Sequence, residues 1–99
     1  MSSKSSVYLI ENKKTGDKYI GSTSVKVERR WQNHLSDLRC NRHPNCMLQE
    51  HANQFGLEVF VFTKLKVCRK EQKTYWEAVY IERLHATYNI KLNRKDILQ

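Results

Sequence analysis

The stretch VYLIENKKTGDKYIGST, from Val7 to Thr23, limits the fold more than any other part of the chain. Its ends are apolar and alternating, and its middle, NKKTGD, is polar. Val7 to Glu11 and Lys18 to Ser22 read as two short strands, with Gly16 free to take a positive φ in the turn. A turn centred near Lys14 and Thr15 sets Tyr8 opposite Gly21 and puts Tyr19 diagonally across on the same face. Two aromatic strand residues alone would mean packing. A reason to pair two phenols in a basic chain has to come from elsewhere in the sequence.

The period changes after the hairpin. Ser22, Thr23 and Ser24 offer N-caps for a helix from Val25 to about Leu38, whose stripe is Val27, Trp31, Leu35 and Leu38. Pro44 and Asn45 open a second helix that carries Met47 and Leu48 and ends near Gly56. EVFVFTKLKV, Glu58 to Val67, reads as a third strand, with Val59, Val61, Leu65 and Val67 on one face and Phe60 and Phe62 on the other. A third helix runs from about Lys70 to His85 with Trp76, Val79, Tyr80 and Leu84 as its stripe. This order predicts an α+β fold: a small three-stranded, mostly antiparallel sheet flanked by three main helices. A chain of 99 residues suits one compact domain, residues 1–99, with a core over about 6–91 and a polar tail over 92–99.

Lys and Arg number 18 against 10 Asp and Glu, a net charge of +8. The basic residues are spread along the chain, which points to a polyanionic partner, most often nucleic acid. No stretch approaches the ~20 apolar residues of a membrane span, and no apolar signal core follows MSSKSS. The expectation is a soluble, intracellular protein with no membrane partner. Three cysteines, Cys40, Cys46 and Cys68, are an odd count that suits a reducing compartment, where they would serve as small buried or half-buried hydrophobes.

Two helices carry residues with chemical potential. Arg30 and His34 are i and i+4 in the first helix, at the edge of its apolar stripe, from which they can point into a cleft. The bland reading is a solvated basic face. In the third helix Glu77 has Ile81 and Leu84 at i+4 and i+7 and Trp76 before it. A carboxylate beside an apolar patch either snorkels out or meets a cation. Mg²⁺ commonly takes one or two protein carboxylates and fills its octahedron with water and substrate phosphate, so a lone Glu suffices for a one-metal phosphodiesterase site. The scattered acidic residues count against a two-metal site. Cys40, His43, Cys46 and His51 are zinc-type ligands, but their spacing fits no standard finger.

Together these residues resemble the GIY-YIG nuclease domain, most closely the nuclease domains of phage intron homing endonucleases. VYL and KYIG look like its two strand motifs, with ten residues between Tyr8 and Tyr19. RRW…H looks like its arginine helix, WEAVYIERL like its glutamate helix, and YNI, at Tyr88 to Ile90, like its late asparagine motif. The resemblance covers nearly the whole chain. It implies a DNA endonuclease that hydrolyses phosphodiester bonds with one divalent ion, Mg²⁺ or in its place Mn²⁺, and leaves 5′-phosphate ends. It implies that Glu77 binds the metal, Arg30 steadies the scissile phosphate, Tyr8 is the general base or orients the water, and Tyr19 assists. His34 would relay a proton or hold a phosphate. Gly21 would pack beside the tyrosine, His43 would contribute as in some members, and Asn89 would close the site or support the sheet. The first motif's glycine is Ser6 here, acceptable wherever φ is negative. The competing readings are a non-cutting nucleic-acid-binding module on the same fold and a restriction-type core at Glu71 to Lys73, which would need that segment on a strand. A monomer and a weak or DNA-induced dimer both stay open.

Overall fold

The computed structural model describes residues 4–90. The tail expected over 92–99, and Lys91 before it, lie outside the described residues. Strand β1 (Lys4–Asn12) is central, with β2 (Lys18–Thr23) antiparallel on one side and β3 (Phe60–Arg69) antiparallel on the other. Helices α1 (Val27–Arg39) and α2 (Cys46–Phe55) lie between β2 and β3 in sequence, and α3 (Lys73–Leu84) follows β3. The hairpin turn is organised by Asn12. Its Oδ1 accepts the N–H groups of Lys14 (2.8 Å) and Thr15 (3.2 Å), its carbonyl accepts from Gly16, and Gly16 takes φ 84°. Among the described residues no helix is long and apolar enough to cross a membrane.

Because side chains alternate along a strand, β1 feeds two cores. Tyr8 and Ile10 face α1 and α2 and pack with Val27, Leu38, Leu48, Ala52, Phe60 and Tyr88. Val7 and Leu9 face the other way and, with Ile20 and Cys68, meet Trp76, Tyr80, Ile81 and Leu84 of α3. At about 25 cal/mol per Å² of apolar surface buried, these two layers are the main source of stability.

Four expectations need correction. Phe60 and Phe62 share the face toward α1 and α2, as expected, but the opposite stripe is broken: Val61 and Val67 are exposed, while Cys68 is buried and Leu65 joins the α3 core. Beyond Lys64 the reason is a bulge: Val7 pairs with Lys66 and Tyr8 with Lys64, leaving Leu65 as an extra residue that breaks the alternation and puts Val67 and Cys68 on swapped faces. Helix α1 starts at Val27, with Lys26 at the N-cap and no side-chain cap; the Thr23 hydroxyl instead accepts the Val25 N–H at 3.2 Å. Cys40 and Cys46 are exposed, and only Cys68 is buried. Helix α2 begins as expected, on an Asn45 cap whose side chain accepts the Leu48 N–H. Lys70–Gln72 is a 3₁₀ turn and not the first turn of α3, so Glu71 to Lys73 is not on a strand.

Candidate active site

Strand β2 is an edge strand, and the candidate residues gather around that edge. Tyr8 pairs with Gly21, and its ring lies across the glycine. A β-carbon at Gly21 would come within 2.9 Å of Tyr8 Cε1 and closer still to Cζ and Oη. The absent side chain leaves the space that the Tyr8 ring and its oxygen occupy. Tyr19, two residues before Gly21, shares that face.

Helix α1 brings His34 between the two phenols. His34 Nε2 lies 2.6 Å from Tyr8 Oη, and its ring makes edge contacts with both Tyr8 and Tyr19 at centroid distances of 5.6 Å. On its other side, His34 Nδ1 meets His43 Nε2 at 2.7 Å, with the two rings stacked. Both histidines are buried. Arg30, one helical turn before His34, is half-buried and lies against the Tyr8 oxygen. Arg29 and Asn33 are exposed.

This packing sets the protonation states. Burial pushes His34 down to about 3, helped by the charges of Arg30 and His43. Burial also lowers His43, with Asp37 opposing. Burial pushes the Tyr8 phenol well up, and Tyr19 and Glu77 add to this, while the charge and hydrogen bonding of Arg30 pull it back. The Tyr19 phenol is raised by burial, against Arg30. At neutral pH the site therefore holds two neutral imidazoles and two protonated phenols beside one guanidinium.

Glu77 reaches the same edge from the opposite face of the sheet. Ser22 Oγ donates to Glu77 Oε2 at 2.9 Å, and the carboxylate is close enough to act electrostatically on both phenols. Among the described residues no Lys, Arg or His nitrogen lies within 4.0 Å of it. A half-buried carboxylate with no cationic partner and a hydroxyl beside it is a hard-oxygen donor set of the kind Mg²⁺ accepts. The described residues contain no group of three His, Cys, Asp or Glu placed to hold a metal. Any ion at Glu77 would take most of its ligands from water and substrate. A zinc centre at Cys40, His43, Cys46 and His51 is ruled out by the same geometry. Both ring nitrogens of His43 are engaged, by His34 and by the Asn45 N–H, and His51 points to Tyr88 Oη at 2.8 Å.

Asn89 lies beyond α3. Its Oδ1 accepts the Ile20 N–H (2.8 Å) and its Nδ2 donates to the Ile20 carbonyl (2.9 Å). It supports the outer edge of β2 next to Tyr19 and Gly21. Ser6, in place of the motif glycine, has no positive φ.

Comparison with known proteins identifies the family and the fold. Residues 4–89 match the GIY-YIG catalytic domain. The chain belongs to the GIY-YIG family. Its fold superposes on the catalytic domain of the homing endonuclease I-TevI with a TM-score of 0.75 at 29% identity, covering 82% of this chain and 88% of that one. A mutant of the same domain, described as that of an intron endonuclease, gives a TM-score of 0.76 at 30% identity, covering 83% and 84%. The Uncharacterized protein 019R of Invertebrate iridescent virus 6 is 32% identical over 76 residues, which are 77% of this chain but only 26% of that protein.

The GIY-YIG chain is thus built as a nuclease catalytic domain. The structure brings Tyr8, Tyr19, Gly21, Arg30, His34 and His43 together on one side of the β2 edge, with Glu77 around it and Asn89 bracing it. Sequence reasoning missed Ser22, Asn45 and Gln49. Ser22 was legible in principle: it is one residue past Gly21 and therefore on the opposite face, toward α3. Asn45 gave no signal beyond helix capping and Gln49 gave none, because their partners lie on His43 and at the end of α1.

Proposed function

We propose that the chain is a DNA endonuclease domain that hydrolyses phosphodiester bonds with one divalent ion and leaves 5′-phosphate ends. The observation that carries this reading is the Tyr8 oxygen, bonded to His34 and acted on by Arg30, with a carboxylate at Glu77 that meets no cation among the described residues. Glu77 and Ser22 would hold the ion. When bound, it would supply Lewis-acid stabilisation of the phosphate and the leaving oxygen, and offset the carboxylate's upward push on the phenols.

The protein's own groups do the rest. Arg30 presents a planar guanidinium suited to a non-bridging pair of phosphate oxygens. Tyr8, protonated at rest, would first give its phenolic proton to solvent, with the Arg30 charge and the bound ion favouring the phenolate. The phenolate then takes a proton from the attacking water, so a water O–H bond breaks and the phenol O–H re-forms. The hydroxide lone pair forms the new O–P bond. The P–O3′ bond breaks with its electrons on O3′, which takes a proton from solvent. Tyr19 narrows the site beside His34. The net charge of +8 favours a polyanionic substrate, and duplex DNA presents one phosphate per ~1.7 Å of its axis.

The test is supercoiled plasmid with Mg²⁺ and then Mn²⁺. Nicked or linear product is expected with either ion, and its ends should accept label from a kinase only after dephosphorylation. Glu77→Ala and Tyr8→Phe should each lower the rate at least ~100-fold, the scale of losing one transition-state charge or proton-transfer group. Cutting unaffected by Glu77→Ala would remove Glu77 from the reaction. Plasmid binding without any cutting by the unaltered protein would make this a binding module.

A further inference from the structure

The Tyr8–His34–His43 chain ends on a group that cannot exchange roles. The Asn45 backbone N–H donates to His43 Nδ1 at 3.1 Å, and a peptide N–H is always a donor. His43 Nδ1 is therefore a bare lone pair. A neutral imidazole carries one proton, so that of His43 sits on Nε2, facing His34 Nδ1 at 2.7 Å. His34 Nδ1 must accept it. The single proton of His34 then sits on Nε2, 2.6 Å from the Tyr8 oxygen.

A second proton has no place on either ring. On His43 Nδ1 it would face the Asn45 N–H; on His34 Nδ1 it would face the His43 N–H. Burial works in the same direction, holding both rings neutral. The turn before α2 is itself held firmly. Asn45 Oδ1 accepts the Leu48 N–H at 3.0 Å, and Asn45 Nδ2 donates to the Tyr88 carbonyl at 3.2 Å. Gln49 Oε1 accepts the His43 N–H at 2.9 Å, and Gln49 Nε2 donates to the Leu38 carbonyl at the end of α1 at 3.0 Å. Asn45 and Gln49 are both buried.

We propose that the Asn45 backbone N–H, in a turn held by the Asn45 and Gln49 side chains, locks the tautomer of His43 and through it that of His34, so that His34 only donates to Tyr8 and the Tyr8 proton passes on the substrate side. The Tyr8 oxygen has two lone pairs and one proton. His34 fills one acceptor position, and the Arg30 guanidinium lies against the same oxygen. The proton is left pointing away from both. His34 thus stabilises a phenolate by donation and does not store its proton. After Tyr8 takes a proton from water, that proton leaves to solvent through the open edge of β2. This chemical consequence rests on the nuclease reading; the tautomers do not.

Multiple-bond ¹H–¹⁵N correlation spectra of the full chain with labelled histidine, at neutral pH without metal or DNA, test the proposal. His34 and His43 should both show a protonated Nε2 and a bare Nδ1. His43→Gln keeps an N–H facing His34 and should preserve the His34 pattern; His43→Met removes it, and His34 should lose its single tautomer. An Nδ1–H or doubly protonated ring at either position in the unaltered protein would overturn the lock, as would a His34 pattern unchanged by His43→Met. If His43→Met does not fold, the other two spectra decide. No cleavage assay enters, so a failure of the nuclease reading and a failure of the lock are seen separately.

Discussion

Gly21 shows how much of the site depends on one missing atom group. Tyr8 is only 1% exposed and its oxygen is tied to His34, so the ring cannot swing aside for a β-carbon. Gly21→Ala should destabilise the fold by ~1–3 kcal/mol, the usual cost of forcing extra volume into a packed site. It should also displace the Tyr8 oxygen and depress cutting more than the stability loss accounts for. Urea midpoints and plasmid cleavage, measured on the same preparation, check this. An alanine variant of unchanged stability would mean that the ring has room the packing does not show. At this scale the sequence was most legible where a period fixes a direction. Alternation put Tyr8, Tyr19 and Gly21 on one face, and helical spacing put Arg30 beside His34. The bond from Ser22 to Glu77 joins residues 55 apart in sequence, and no local pattern encodes that crossing.

At the scale of elements, the β2 edge has to be held without a fourth strand. Asn89 does this by pairing with both backbone groups of Ile20, in the way a neighbouring strand would. The segment carrying it is anchored in turn: Tyr88 is buried, with Asn12 Nδ2 donating to its oxygen at 3.1 Å, and Thr87 Oγ1 donates to Asp17 Oδ1 at 2.6 Å. Asn89→Ala removes two hydrogen bonds at ~1 kcal/mol net each. It should raise amide exchange at Ile20 about tenfold or more while leaving the β1–β3 ladder protected. Equal loss of protection in β3 would show that Asn89 supports the whole domain and not the β2 edge. The order and type of the elements were legible because three strand-like and three helix-like patterns follow one another without interruption. The faces of β3 were not. The bulge at Leu65 depends on how β3 meets β1, and a strand read alone cannot reveal an extra residue in its partner's register.

For the molecule as a whole, the buried titratable groups limit stability on both sides of neutral pH. His34 is held at about 3 in the fold against ~6.5 in an unfolded chain, and His43 is lowered too. Between those values the unfolded chain binds more protons than the native one, so stability rises with pH in that window. The His34 contribution is complete above about pH 6.5 and is lost as pH falls toward about 3, at up to ~1.4 kcal/mol per pH unit; His43 acts in the same direction. The tyrosines run the other way. Tyr8, Tyr19 and Tyr88 are raised above the ordinary phenol value, burial being the first cause for each. Their contribution is complete below about pH 10 and is lost as pH rises past it. Acid also adds charge to a chain already at +8, but that repulsion lies mostly among exposed groups and salt screens it within about 10 Å at 0.1 M. The cost of charging a buried imidazole is screened much less. Thermal unfolding followed from pH 8 to pH 4 at low and high salt separates the two. The melting temperature should fall below about pH 6.5 at both ionic strengths, with salt restoring only part of the loss. Full recovery in salt would assign the acid sensitivity to surface charge and leave the buried histidine pair with no part in it.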